Sequence, residues 1–143
     1  MLNKTKFTAL CNAFNRLSNP RFPHPVLDWS GDLYATDGYV ALRLTGVDVP
    51  NLCARYGLAP YKVDESVARF IKRLMESEYT QSEYVNELIR TDVIMSAVRP
   101  FNAIKVPFRM TSSGTGRPIF LSADFHAGDD NGSLTAIFQP RRR

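Results

Sequence analysis

The stretch FTALCNAFNRLSNPRFPHPVLDWSGDLYATDGYVALRL, residues 7–44, decides the fold. Its first part predicts an amphipathic helix over 5–17, because apolar side chains recur there at a spacing of 3.6 residues. Pro20 ends this helix, since proline disfavours helical geometry in the residue before it. The predicted apolar stripe consists of Phe7, Leu10, Cys11, Phe14 and Leu17.

The second part of the stretch predicts a β-meander. Prolines hold the connector over 20–25 in an extended form, and the first strand covers 26–29. Two further strands, 33–36 and 39–44, flank Asp37-Gly38, a strong hairpin signal because glycine accepts the positive φ that such turns need. The chain therefore begins as a helix followed by three antiparallel strands.

A second helix is predicted over 64–75, after a loop that contains Pro50 and Pro60. Asp64 is in position to cap it. Its apolar residues, at i, i+3, i+4, i+7 and i+8, form one stripe, with basic residues on the opposite side. That stripe consists of Val67, Phe70, Ile71, Leu74 and Met75.

The remainder of the chain alternates between helical and strand patterns. Thr80-x-x-Glu83 resembles a capping box and predicts a third helix, whereas 93–98 fits either a helix or a strand. Strands follow at 104–110, 118–122 and 134–139, with glycine-rich turns at 112–116 and 128–132. The order predicts an α+β domain, spanning 1–143, in which two or three amphipathic helices back antiparallel sheets.

Composition narrows the classes of function. With 143 residues, 44% hydrophobic and 22% charged, the chain is typical of one globular domain, and no apolar run approaches the roughly 20 residues of a membrane span. Two cysteines are too few for a disulfide framework, which favours a reducing cytoplasm. The net charge of +4 permits a nucleic-acid partner, and the chain before Asp28 holds four basic residues and no acidic one.

Catalytic and cofactor motifs have little support. The glycine-rich segment 113–117 lacks the Lys-Ser/Thr pair of a phosphate loop and precedes a strand. Asp124, His126 and Asp129 leave a metal-dependent enzyme as a remote alternative, without the regular spacing of a calcium loop. The sequence therefore predicts a protein that is not an enzyme and that holds no metal or cofactor.

Several segments together resemble a domain of the bacterial DNA polymerase III β sliding clamp. The family shows an R-x-x-x-P-(I/V)-L connector, matched from Arg21 to Leu27, and an A-T-D-G-H-R-L-A strand, matched from Ala35 to Gly38. The strand at 134–139 runs into Pro140 and Arg141, much as the family closes in V-M-P-M-R-L. The segment 61–75 resembles the family's second helix, whereas 76–102 has no counterpart and is predicted to be an insertion.

The resemblance implies a DNA-binding surface. In the family, two helices of each domain line a ring and present basic side chains to DNA, which needs only positive charge near the phosphates. By position, this role falls to residues of the two predicted helices, although ordinary solvated helix faces have the same pattern. The implied residues are Lys6, Arg16, Arg69, Lys72 and Arg73.

The resemblance also implies a pocket for short peptides of DNA polymerase or other replication proteins. Tyr39 stands where the family has histidine, and Gln139 and Arg141 stand where it has methionines, which reduces the apolar surface. The alternative is a plain hairpin turn and a charged tail. The implied pocket residues are Thr36, Gly38, Tyr39 and Ala41 on one side and Ile137, Gln139, Pro140 and Arg141 on the other.

Because six such domains form the family's ring, one domain must self-associate, pair with a host clamp or act outside a ring. The leading hypothesis is a clamp-like accessory protein of DNA replication, in keeping with a phage-encoded relative, that binds double-stranded DNA and forms a homo-oligomer. The alternative is an adaptor or inhibitor that binds a replication protein with the same fold and does not contact DNA.

Overall fold

The computed structural model describes residues 2–76, 80–85, 87–127 and 130–140. They form an α+β fold, as predicted, in which helices cover both faces of one sheet. The helices are α1 (Lys4–Asn15), α2 (Val49–Tyr56), α3 (Glu65–Leu74) and α4 (Thr91–Ala103). The strands are β1 (Val26–Leu27), β2 (Leu33–Thr36), β3 (Val40–Thr45), β4 (Lys62–Val63), β5 (Arg109–Ser112), β6 (Ile119–Ala127) and β7 (Asp130–Phe138).

The seven strands form one sheet in the order β4-β1-β2-β3-β7-β6-β5. Only the β1–β4 pair is parallel among these strands. A unit of one helix and three strands occurs twice, as α1-β1-β2-β3 and as α4-β5-β6-β7, and the two units join through the antiparallel β3–β7 pair. The segment α2-β4-α3 lies between the two units in the chain.

Strand alternation divides the core between the two faces of the sheet. On β3, Leu42 packs with α1, α2 and α4, whereas its neighbour Ala41 packs against α3. We call these faces the α1/α4 face and the α3 face. The first holds the larger core, with Phe14 of α1 and Phe101 of α4 both almost completely buried. Helices α1 and α4 contact each other directly on that face.

Capping side chains determine where helices α1 and α3 begin. The Asn3 Oδ1 accepts from the Lys6 N–H at 2.8 Å, and the Asp64 Oδ1 accepts from the Val67 N–H at 3.2 Å. These bonds satisfy amide groups that the first turn of a helix leaves without intrahelical partners. They confirm Asp64 as the predicted cap of α3.

Helix α2 occupies a segment that the sequence predicts to be a loop. Asp48 caps it, Pro50 lies in the first turn and Gly57 follows its end with φ 70°. Proline is favourable in a first turn because that turn has no intrahelical acceptor for its amide. The prediction of a loop is therefore wrong, because Pro50 opens a helix here.

The prediction of a helix that begins at Thr80 is wrong. The described residues of 80–90 are not helical, and Ser82 instead forms a β-bridge with Ser112. The predicted insertion over 76–102 contains most of α4, which contributes Val93 and Ala97 to the core. The ambiguous segment 93–98 is thus helical.

The last three strands differ from the predicted ones in length. The predicted strand 104–110 begins only at Arg109. Strand β6 ends at Ala127, just before the predicted turn 128–132, and β7 begins inside that turn at Asp130, while 128 and 129 lie outside the described residues. Gly132 serves a cross-strand contact, since a Cβ there would lie 2.5 Å from the Phe125 ring. This glycine is needed for packing within the strand pair.

Candidate nucleic-acid interface

The five basic residues implied for DNA binding lie on two different surfaces. Lys6 lies on α1 and Arg16 directly follows it, whereas the other three lie on α3 at the opposite face of the sheet. The reason is that Ala68 and Ile71 of α3 pack against Tyr34, on the face opposite the α1 core. The prediction that these two helices form one layer is wrong. The implied DNA-binding residues that lie on α3, away from Lys6 and Arg16, are Arg69, Lys72 and Arg73.

Helices α1 and α4, which form the α1/α4 face, contain more basic than acidic residues. Helix α1 contains no acidic residue, and Lys4 and Arg16 are exposed while Lys6 is half-buried. Helix α4 adds the half-buried Arg99. Lys4 and Arg16 are separated by about 18 Å along the helix axis at 1.5 Å per residue. Lys4 and Arg16 thus lie near opposite ends of α1, so the positive charge of this helix extends along its length.

The acidic residue of α4 is neutralised locally. Asp92 accepts from the Arg90 guanidinium, with Nη2 and Oδ2 2.8 Å apart. Both side chains are more than half exposed, so the pair contributes little to stability. Its electrostatic effect is to cancel one charge of each sign at the start of α4.

Sequence reasoning missed Arg99 as a candidate. It lies in 76–102, the segment assigned to an insertion, and the pairing of α4 with α1 could not be read from the local pattern. Lys4 was visible as one of four cations before the first acidic residue, and the Asn3 cap at the start of α1 is the signal that places it on the first turn.

The cations of α3 have closer acidic neighbours. Arg69 Nη2 lies 3.8 Å from Glu65 Oε1, one helical turn away. Burial, followed by the charge of Asp28, raises the pKa of Asp32, while Arg43 and Lys72 act in the opposite direction. Lys72 therefore interacts with a carboxylate of the protein itself, and the positive field of α3 is partly compensated.

Beneath α3, Tyr34 is held in a neutral form. Its hydroxyl lies 3.4 Å from Asp28 Oδ2, and burial with the charges of Asp28 and Asp32 raises its pKa to about 12. A phenol with that pKa does not act as a nucleophile near neutral pH. This group therefore has a structural role beneath α3.

The described residues among those implied for peptide binding lie near one end of the β2, β3 and β7 strands. Thr36 pairs with Ala41, and Ala41 pairs with Ile137. Ala41 and Ile137 are buried in the core under α3. Gly38, Tyr39 and Gln139 are exposed, Pro140 is buried, and Arg141 lies outside the described residues.

The hairpin itself is locally determined. The Asp37 Oδ1 accepts from the Tyr39 and Val40 N–H groups at 2.8 and 2.9 Å, and Gly38 adopts φ 91°. Tyr39 is 65% exposed at the turn, with the Arg90 guanidinium 5.7 Å from its ring centroid. Tyr39, one of the residues implied for peptide binding, is therefore accessible at the tip of the β2–β3 hairpin.

An apolar groove lies near the β4 edge of the sheet, and the sequence did not indicate it. Its volume is about 610 Å³, and it is lined by the proline-rich connector, by 58–63 and by the exposed side of α1. Cys11 lies in its wall, and burial raises the pKa of that thiol to about 11. A second cavity, of about 690 Å³, lies at the β5 edge and contains Phe108 and Arg109.

Within the described part of the chain, no three histidine, cysteine, aspartate or glutamate side chains gather as a metal site. Asp129, one of three residues considered for metal chemistry, lies outside that part. None of the helices that the structure describes combines the length and apolar character that crossing a bilayer requires. Comparisons with protein-family models, with curated proteins and with solved structures found no match for this chain.

Proposed function

We propose that this protein is a non-enzymatic, clamp-like accessory protein of DNA replication, and that it binds the DNA backbone through the α1/α4 face. The proposal keeps the family resemblance of the sequence, but it assigns DNA binding to α1 and α4 instead of to α1 and α3. Helix α4, not α3, lies beside α1. The observation that carries the proposal is this pair of contacting helices on one face, with Lys4, Lys6 and Arg16 along one of them.

The repeated unit supports the proposal. Each half of the sheet is preceded by one helix, and the two helices meet on the same face. The resemblance implies such a layer of two helices toward DNA. A flat layer of two helices with basic side chains can contact phosphates without reading bases.

The distribution of acidic residues also supports the α1/α4 face over the α3 face. No carboxylate interrupts α1, and Asp92 is paired with Arg90. By contrast, α3 contains Glu65 within reach of Arg69. Because phosphate binding depends on uncompensated cations, the α1/α4 face is the stronger candidate.

Two matched triple variants test the proposal. Lys4→Gln with Lys6→Gln and Arg16→Gln removes three charges from the α1/α4 face. The matched control removes three from α3, in Arg69→Gln with Lys72→Gln and Arg73→Gln. Binding to a fluorescent 30-base-pair duplex is measured from 50 to 200 mM salt, with circular dichroism to verify folding.

We expect the α1 variant to weaken binding strongly and to reduce the slope of log affinity against log salt by about 2–3, close to one for each phosphate that the protein no longer neutralises. The α3 variant should retain most of the affinity and slope. Equal losses in the two variants would mean that net charge alone attracts DNA. A wild-type protein that does not bind the duplex at all would contradict the proposal.

The second candidate is an adaptor that binds a replication protein and does not touch DNA. The exposed Tyr39 at the tip of the β2–β3 hairpin favours it. Under this function, Tyr39→Ala abolishes capture of a DNA polymerase or another replication protein, whereas the α1 triple variant captures it normally. Under the leading proposal, the α1 variant loses DNA whether or not Tyr39 is changed.

A further inference from the structure

The groove near the β4 edge has the size and lining of a site for a small molecule. Its volume is about 610 Å³, within the roughly 300–1,000 Å³ that small-molecule sites occupy in proteins. Apolar side chains from separate parts of the chain contribute to its lining, among them Phe22 of the connector, Leu58, and Val67 of α3. Such a lining favours a ligand with an apolar body, because that body is removed from water when it binds.

Hydrogen bonds join the walls of the groove to one another. Strand β4, at the end of the segment 58–63, pairs with β1, and just beyond that pair the Asp64 N–H donates to the Leu27 carbonyl at 2.9 Å. The Tyr61 hydroxyl donates to Asn15 Oδ1 at 2.8 Å, which joins the same segment to α1. The groove is therefore formed before a ligand enters, so binding requires little further ordering of the protein.

The polar part of the lining offers positive charge and hydrogen-bond donors. Arg21 and Lys62 are exposed in it, and neither side chain has an ion-pair or hydrogen-bond partner among the residues that the structure describes. The acidic side chain of the lining, Asp64, is engaged in capping α3. The positive charge at the groove is thus left for a ligand, and it favours a negatively charged acceptor.

Aromatic rings and a local turn hold Arg21 in position. Its guanidinium carbon lies 5.2 Å from the Phe22 ring centroid and 4.9 Å from that of Phe70, and the two rings stack on each other at 5.3 Å. The Asn19 Oδ1 accepts from the backbone N–H groups of Arg21 and Phe22 at 3.0 and 2.8 Å. Stacking holds the planar guanidinium while its N–H donors stay free for a carboxylate.

We propose that this groove binds a small amphiphilic carboxylate, a molecule with an apolar body and one carboxylate group. The apolar body packs against side chains such as Phe22 and Leu58. The carboxylate accepts hydrogen bonds from the Arg21 guanidinium, whose planar fork suits a carboxylate, and Lys62 contributes a second positive charge. Binding at this site requires no DNA and goes beyond the function proposed above.

Three probes separate the two parts of the site, in titrations of the full chain without DNA followed by NMR of its backbone amides. Octanoate has an apolar body and a carboxylate, octanol lacks the charge, and acetate lacks the apolar body. We expect octanoate to bind at least about tenfold more tightly than either of the others, because it alone uses both parts of the lining. The largest shifts should fall on the connector and on 58–63.

Matched double variants test the role of the charges. Arg21→Gln with Lys62→Gln should lower the affinity for octanoate at least about tenfold, to that for octanol, and leave the affinity for octanol unchanged. Arg69→Gln with Arg73→Gln removes the same charge from α3, outside the groove lining, and should bind octanoate as the wild type does. Equal losses in the two variants would mean that net charge alone attracts the anion, and would contradict the proposal.

A third variant tests the apolar part of the groove. Ala59→Trp places a large side chain at an exposed residue of the lining and should abolish the binding of both octanoate and octanol. Circular dichroism verifies that all variants are folded. A wild type that does not bind octanoate, equal affinities for octanoate and octanol, or shifts centred away from the groove would each overturn the proposal.

Discussion

The two faces of the sheet differ in the amount of core they bury and in how their cations are compensated. Among the described residues, the α1/α4 face buries 26 residues in one cluster and the α3 face buries seven. Helix α1 has no acidic residue, whereas α3 places Glu65 within reach of Arg69. The same amphipathic pattern thus produces, on one face, a structural layer whose first helix has no acidic residue and, on the other, a small covering helix.

This difference teaches that an apolar stripe specifies burial but not the face that is covered. Ala41 and Leu42 are adjacent on β3, yet they belong to different cores. A helix can pack against either side of such a strand. The side that α3 takes depends on its links to β4 and to the rest of the chain, which lie outside its own pattern.

The largest expected effect in stability comes from truncation in the larger core. Phe101→Ala on α4 should lower the free energy of unfolding by about 3–5 kcal/mol, since it removes a fully buried ring and leaves a cavity. Ile71→Ala on α3 should cost about 2 kcal/mol, because its smaller cluster can adjust around the gap. Urea unfolding followed by circular dichroism measures both.

The ratio of these two losses tests the comparison between the faces. If Ile71→Ala is as costly as Phe101→Ala, then α3 is an integral part of the core. If Phe101→Ala is nearly neutral, α4 does not dock on α1 as the structure describes, and the basis of the proposed DNA surface is lost. Phe70→Ala, at a residue 36% exposed on α3, provides a control for ring removal near the surface.

Much of the fold could be predicted because its signals are local. The helices at 5–17 and 64–75 follow from apolar periodicity, and the β2–β3 hairpin follows from Asp37-Gly38. Helix α2 has usable signals in Asp48, Pro50 and Gly57, but proline is as typical of a loop as of the first turn of a helix, so the sequence predicts a loop there. Helix α4 was ambiguous, since its apolar run lacks a clear period.

The candidate site was less predictable because it depends on long-range contacts. Basic residues such as Lys6 and Arg69 were identified correctly as helix-surface cations, yet their separation onto opposite faces is decided by packing. The groove joins the connector to 58–63, which are far apart in the chain and meet through the parallel β1–β4 pair. No local pattern could predict such a meeting.

A smaller effect is expected in hydrogen exchange. Because α3 covers a small cluster, its backbone amides should exchange through local opening, at least about tenfold faster than those of α1, equivalent to ~1.4 kcal/mol. Mass spectrometry of peptides spanning Ile71 and Phe14 measures the two rates. Equal protection of α1 and α3 would show that the two faces open together and would remove the distinction between them.

The smallest effect concerns the cap of α3 and its dependence on pH. The Val67 N–H and the Ser66 hydroxyl both donate to Asp64 and lower the pKa of its carboxyl below the usual 3.8. The stabilisation from the charged cap is therefore complete above the pKa of the unfolded state and is lost as pH falls through the lower pKa of the folded state. Asp64→Asn keeps an oxygen for capping but has no such pH dependence.

We therefore expect the wild type to have the higher thermal midpoint near pH 6, with the difference from Asp64→Asn shrinking as the pH falls below 3.8 and through the lower pKa of the folded state. Ser66→Ala removes one donor, so it should narrow this pH window while it leaves the cap in place. Thermal melts at several pH values measure the difference. A difference that stays constant down to pH 2 would mean that the Asp64 charge does not support α3, and the helix would then depend on its small apolar cluster alone.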